Sequence, residues 1–223
     1  WRIFAVNPAF ELPEYQSRLA KVRSAMSDKE LDALVIGDLA NMNWLTGFDA
    51  WSFYVPQVML VLHDHPPVWL GRQMDAGSVL LTTHLGAESA RPYAEDLVQR
   101  DGVHPMDAIG TSLAEFHLEG KRVGFESDTY FFSFKAVERL QTKLPGAIWV
   151  DADLLVNWCR AVKSDVEIEV MRGAARIASH VMTLACEHIA PGVRQCDLVS
   201  KVLAAQVSGV DGLGGDTTAL CPL

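Results

Sequence analysis

Cysteine is scarce in this chain and poorly spaced for cross-linking or metal binding. Cys159, Cys186, Cys196 and Cys221 all lie in the last third and form no C-x-x-C pair. A secreted disulfide scaffold is shorter and denser in cysteine, so these are read as free thiols, buried or half buried. Long apolar runs are also missing. The most strand-like run, Val58 to Leu62, falls far short of the roughly 20 residues that cross a bilayer. The first residues show no basic stretch followed by a long apolar one. The expectation is a cytoplasmic protein with no membrane partner. Positive charge is in deficit, with 19 Lys+Arg against 28 Asp+Glu and a formal net charge of -9. Such a chain repels a phosphate backbone, which argues against nucleic acid as a partner.

What is present suffices for a full core. Of the 223 residues, 49% are hydrophobic, which fits one large domain or two small ones. Tyr15, Leu19, Val22 and Met26 recur at helical spacing after Pro13. Ala33 to Ile36 reads as a buried strand closed by Gly37, and a polar, aromatic loop is expected from Asp38 to Tyr54. Strands over 57–62 and 68–70 flank the turn His63-Asp64-His65-Pro66. A helix over 75–84, a strand near Ala90, a helix after Pro105, a strand over 122–125, a helix over 133–143 and a strand over 147–150 follow. Strands alternating with helices predict an α/β layer fold, and the hairpin makes the sheet mixed.

The pattern turns helical after Asp151. Leu154, Leu155 and Trp158 suggest one apolar patch. A long helix is expected over 166–189, ended by Pro191-Gly192, and a second over 195–207. A glycine-rich turn follows at 209–215, and a strand is expected to open at Thr217. A domain boundary falls near 151–164, giving domains 1–155 and 156–223.

Most motifs that carry chemistry are absent. His63-x-His65 has no third or fourth ligand at a zinc-like spacing, and its neighbours Asp64 and Pro66 mark a turn. No G-x-S-x-G elbow occurs. Gly212-Leu213-Gly214-Gly215 lacks the G-x-G-x-x-G spacing and follows a helix rather than a strand, which argues against a dinucleotide. The segment 41–54 differs. Trp44, Phe48, Trp51, Phe53 and Tyr54 crowd into it among Asn, Asp, Thr and Ser. Aromatic walls with a few polar groups suit a small-ligand pocket or a protein interface, and equally suit rings packed beneath a loop.

Two stretches carry a family resemblance. Asn43-Trp44-Leu45-Thr46-Gly47-Phe48 resembles a segment in the N-terminal domain of creatinase, prolidase and aminopeptidase P relatives, with Trp44 where Tyr is commoner. Arg160-Ala161-Val162-Lys163-Ser164-Asp165-Val166-Glu167-Ile168 resembles the R-x-x-K-S-x-x-E-I block that opens the family's catalytic domain, and Pro191-Gly192-Val193 its next turn. The resemblance implies a creatinase-like N-terminal domain over 1–155, with a mixed sheet flanked by helices. It also implies the first helices of an incomplete α+β pita-bread domain over 156–223.

Within the family, Trp51 to Gln57, His104-Pro105-Met106-Asp107 and Gly214-Gly215-Asp216 are most similar to the ectoine-hydrolysing subgroup. That implies hydrolytic ring opening of a cyclic amidine, with an ectoine-like small molecule as substrate. The alternatives are a metal-dependent Xaa-Pro peptidase taking a short peptide, with two divalent metal ions, and a non-catalytic pita-bread binding module. The family's catalytic and metal-binding residues correspond to positions after Leu223. No catalytic residue, metal ligand or cofactor is therefore assigned to this chain, and it is expected to be inactive alone. The family also implies a homodimer in which Trp51, Phe53 and Tyr54 wall the partner's substrate pocket.

Overall fold

The computed structural model describes residues 8–50, 52, 54–130 and 132–214. The chain divides into two compact units, Trp1–Ala161 and Val162–Leu223.

The first unit is built on a six-stranded sheet in the order β4-β3-β2-β1-β5-β6. Its strands are β1 (Ala33–Ile36), β2 (Val58–Leu62), β3 (Val68–Arg72), β4 (Ala90–Tyr93), β5 (Arg122–Phe125) and β6 (Ile148–Asp151). β2 runs antiparallel to both β1 and β3, and the remaining pairs are parallel. Five strands therefore run one way and end on the same edge of the sheet.

Alternation along each strand splits the core into two layers. Leu34 and Ile36 of β1, Met59 and Val61 of β2 and Trp69 of β3 face one side. There they meet Val22 and Met26 of α1 (Leu12–Asp28), Met42 and Leu45 of α2 (Leu39–Thr46), Val79 of α3 (Ala76–Thr82) and Leu155 and Val156 of α6 (Leu155–Ala161). Ala33, Val35, Val58, Leu60, Val68 and Leu70 face the other side. They meet Met106, Ile109 and Leu113 of α4 (Pro105–Ala114) and Ala136 and Leu140 of α5 (Phe134–Lys143). A strand covered on both faces has no polar alternation to show, which is why β1 reads as an unbroken apolar run.

Most expected elements form within a residue or two of their places, helped by local signals. Pro13 sits in the first turn of α1 and Pro105 in that of α4, where no N–H partner is lost. Ser133 caps α5 by accepting from the Ala136 N–H at 3.2 Å. The largest departure is at 38–54, expected as a loop, where the chain forms α2. Asp38 Oδ1 accepts from the Asn41 N–H at 3.0 Å to cap its start. Gly47, at φ 85°, ends it by donating to the Asn43 carbonyl at 2.7 Å. The expected apolar patch near 155 also divides. Leu155 and Val156 turn into the core, whereas Trp158 is 71% exposed.

The second unit pairs α7 (Asp165–His188) with α8 (Gln195–Ser208). Ser164 and Glu167 form a reciprocal capping box at the start of α7. No residue of α7 is buried, and Ile168, Met171 and Met182 are exposed. Helix α6, which the sequence assigns to the second domain, packs on α1 and α2 of the first unit. The glycine-rich turn closes on itself through Val210 and Leu213, which exchange backbone hydrogen bonds of 3.0 and 2.8 Å. The strand expected at Thr217 and the thiol of Cys221 lie outside the described residues. Cys159 is half buried as expected, but Cys186 and Cys196 are exposed. Among the described residues, no helix is long and apolar enough to cross a membrane.

Gly47 has little freedom to change. A Cβ there would stand 2.6 Å from the Thr82 carbonyl oxygen and 2.8 Å from the Tyr15 hydroxyl, on a backbone that disfavours side chains. Gly47→Ala is expected to destabilise the first unit by about 1–3 kcal/mol or more, read as a lowered urea midpoint with unchanged slope.

Candidate functional site at the carboxyl edge of the sheet

The edge where five strands end collects the polar groups of the first unit. In α/β sheets this is where ligands commonly bind, because loops leaving the strands diverge and backbone groups become available. Three features gather here.

The first is the end of β3. Arg72 is 8% exposed. Its Nε donates to Asp75 Oδ2 at 3.2 Å and its Nη2 to Ser52 Oγ at 2.6 Å. Ser52 Oγ in turn donates to Asp75 Oδ1 at 2.8 Å. This closed ring of three side chains fastens the segment after α2 to β3. Gln57 extends it by donating to the Ser52 carbonyl at 2.8 Å and accepting from the Trp69 indole at 3.0 Å. The Tyr93 hydroxyl donates to the Pro56 carbonyl at 2.8 Å, and burial pushes its pKa upward. The segment thus starts at a fixed helix cap and ends at a fixed strand.

The second feature is a pocket of about 420 Å³ beside that segment, lined by Tyr54, Pro56, His104, Met106, Tyr130 and Ser133 among others. Tyr54 is 57% exposed, and the Arg72 guanidinium carbon lies 5.6 Å from its ring centre, within cation–π range. His104 Nδ1 accepts from the Met106 N–H at 3.1 Å. Burial lowers the His104 pKa and the nearby Arg139 charge lowers it further, with Asp107 opposing. The neutral imidazole is the form this surrounding favours. Of the three residues expected to wall a substrate pocket, Tyr54 is placed here; Trp51 and Phe53 lie outside the described residues.

The third feature is a buried polar network beneath α2. Glu126, just past β5, is 2% exposed, and Asn41 is fully buried. Glu126 Oε2 accepts from the backbone N–H groups of Gly37 and Asp38, each at 3.1 Å. Its Oε1 accepts from Asn41 Nδ2 at 2.5 Å. Asn41 also donates to Asn157 Oδ1 at 2.8 Å and accepts from Arg160 Nη1 at 2.7 Å. One carboxyl and one amide thus join β1, β5, α2 and α6. Sequence reading missed Glu126 and Asn41 because their partners lie 85 to 119 residues away. Arg72 and Asp75 were missed likewise, since neither belongs to a recognisable motif.

The histidines of the β2–β3 turn serve structure. His63 Nε2 pairs with the Leu31 carbonyl at 2.8 Å, and His65 Nδ1 with the Pro66 carbonyl at 2.7 Å. Among the described residues, no group of three or more His, Cys, Asp or Glu side chains could hold a metal ion.

The fold and the sequence both match known proteins. The Creatinase/Prolidase N-terminal domain family matches residues 18–162, and the chain belongs to that family. It is 41% identical to ectoine hydrolase from Halomonas elongata, over 98% of this chain and 56% of that protein. It is 26% identical to creatinase from a Bacillus species, over 92% of this chain and 47% of that protein. Among solved structures it resembles a prolidase from Thermococcus sibiricus at TM-score 0.67, with 15% identity over 88% of this chain and 51% of the other. The prolidase from Pyrococcus horikoshii gives 0.64, with 18% identity over 85% and 48%. At such identities the two structures speak for the fold alone. The chain spans about half the length of the curated relatives it matches.

Burial pushes the Glu126 carboxyl from an ordinary value of 4.5 up to about 7, against the N–H donors of Asp38, Asn41 and Gly37; the Asp38 charge adds to the rise. A carboxyl raised in the folded state favours folding most where it is protonated in both states. Its contribution is full below about pH 4.5 and is lost as pH rises through about 7, a swing of about 3 kcal/mol. Urea midpoints at pH 5 and pH 8 should therefore differ more for the wild type than for Glu126→Gln, which has nothing to titrate. An identical pH dependence in the two proteins would exclude this role.

Proposed function

We propose that this chain is the N-terminal portion of a hydrolase acting on non-peptide C–N bonds, and that its substrate is a cyclic amidine of the ectoine type opened by water. The observation that carries the reading is the 41% identity to an ectoine hydrolase along 98% of the chain. Residues 1–155 are then the creatinase-like N-terminal domain, and 156–223 the opening of the pita-bread catalytic domain.

In this reading the chain shapes and presents substrate and leaves bond cleavage to residues further along. The segment Trp51 to Tyr54 serves as an aromatic wall in the partner subunit's pocket of a homodimer. Two fixtures suit it to that task. Gly47 fixes where the chain leaves α2, and the Arg72–Asp75–Ser52 ring holds the middle of the segment to β3. A wall held at its start and in its middle loses little freedom when a ligand arrives, so less binding energy goes into ordering it. Tyr54 offers an exposed ring, and an aromatic face attracts a delocalised cation such as an amidinium.

The test is steady-state kinetics of the longer enzyme with ectoine. Tyr54→Ala and Phe53→Ala are each expected to raise KM or lower kcat enough to reduce kcat/KM about tenfold or more, with dimer mass unchanged. Unaltered kinetics in an intact dimer would remove the aromatic wall from the mechanism. Hydrolysis of Xaa-Pro dipeptides in place of ectoine would assign the chain to a peptidase instead. Residues 1–223 alone are expected to turn over neither substrate.

A further inference from the structure

Two of the residues that line the pocket beside Tyr54 also cap helices. His104 stands at the start of α4 and Ser133 at the start of α5, and the two helices pack on each other. Capping fixes what each side chain has left to offer. His104 Nδ1 takes the Met106 N–H at 3.1 Å, and a backbone N–H can only donate, so Nδ1 carries no proton. The neutral imidazole therefore holds its proton on Nε2, at the far side of the ring. Burial, and then the Arg139 charge, favour that neutral ring; Asp107 opposes them and Lys135 adds to them. Among the described residues Nε2 has no hydrogen-bond partner. Ser133 Oγ likewise accepts from the Ala136 N–H at 3.2 Å, and among the described residues its own O–H has no acceptor.

The two caps thus spend their acceptors on the helices and leave two donors on one pocket. Among the described residues that line it, none is Asp or Glu, and Val55, Pro56, Met106 and Ala136 add apolar surface. A ligand here has to bring the acceptors. A carboxylate does so with two oxygens and is not repelled by the lining. The volume of about 420 Å³ suits one small ring. Ectoine is such a ring, and it carries a carboxylate as well as its amidine.

We propose that His104 is a specificity-determining residue of the substrate site. Its Nε2–H donates to the carboxylate of the cyclic amidine, Ser133 Oγ is the second donor, and the amidinium lies on the Tyr54 ring. The inference rests on the proposed ectoine-type substrate and adds the group that tells ectoine from a cyclic amidine without a carboxylate. The carboxylate takes no part in opening the amidine. Its hydrogen bonds are therefore made alike in the ground and transition states, and their loss shows in KM rather than kcat.

Steady-state kinetics of the longer enzyme test this, with ectoine compared against the same methylated ring lacking the carboxylate. The wild type is expected to favour ectoine about tenfold or more in kcat/KM, as a hydrogen bond to a charged group warrants. His104→Asn keeps a capping oxygen for the Met106 N–H but is too short to reach where Nε2 does. It should raise KM for ectoine about tenfold, change kcat and the thermal melt little, and spare the analogue. Ser133→Asp also keeps its cap, at an exposed position, but sets a negative charge where a donor stood. It too should weaken ectoine and spare the analogue. A merely structural role would weaken both compounds alike. A wild type without preference, full preference in either folded variant, or a loss shared by both compounds would overturn the role of His104 and leave the ectoine reading intact. No hydrolysis of ectoine by the wild type would overturn that reading and this inference with it.

Discussion

Burying the Glu126 carboxyl under the first turn of α2 is the constraint on which the first unit's functional edge depends. A carboxyl group at 2% exposure is costly unless hydrogen bonds replace the water it has lost. Here the replacements are the Gly37 and Asp38 N–H groups and the Asn41 amide. The two backbone donors come from the turn that leads from β1 into α2. Supplying the carboxyl with partners therefore also sets where α2 begins. Asn41 then passes the constraint to α6 through Asn157 and Arg160. Four elements that share no local sequence signal are brought into register by one buried group.

The aromatic segment gains its geometry from this arrangement at one remove. Helix α2 is short, and its far end is Gly47, wedged between the Thr82 carbonyl and the Tyr15 hydroxyl. From there the chain runs to Ser52, where the Arg72–Asp75 ring takes hold. Buried polar groups thus sit at both ends of the stretch where the apolar core offers least support. Leu34, Ile36, Met59 and Trp69 secure the sheet, but they face the α1 and α2 layer and offer no direction to the groups at its edge. Hydrophobic burial accounts for the layers, and directional hydrogen bonds account for the edge. Orientation at the edge has to come from groups that care about angle, which apolar contacts do not.

The sheet was legible because its strands are short apolar runs bounded by turns, and the helices on its faces repeat at helical spacing. Helix α2 was not. Its caps, Asp38 and Gly47, are ordinary signals, but Asn41 and Asn43 break the apolar stripe that would mark a helix. Asn41 is buried all the same, since it answers Glu126, which stands 85 positions further along. A polar residue whose partner is distant in sequence looks like a loop residue until the fold is known. The same reason hid Arg72 and Asp75. The edge between units was blurred by α6. Only its last two residues, Arg160 and Ala161, enter the R-x-x-K-S stretch, while its first two, Leu155 and Val156, pack into the core of the first unit. Tyr54 was visible as one of a crowd of aromatics, but its neighbours His104 and Tyr130 in the same pocket come from beyond β4 and β5.

The long spacing of these partners also bears on how the protein is made. Helix α2 emerges from the ribosome early, with its capping residues but without its anchor. Glu126 follows 85 residues later, and Asn157 and Arg160 follow at 116 and 119. Until they arrive, Asn41 has only water to bond and α2 has little to hold it against β1. Contacts of such separation form late and slowly, because a long loop must close first. During synthesis the hairpin of β2 and β3 can form while α2 is still loose. The segment that joins them has its own partners, Arg72 and Asp75, 20 and 23 residues past Ser52, so it can be tied to β3 before the helix it leaves has been anchored by Glu126.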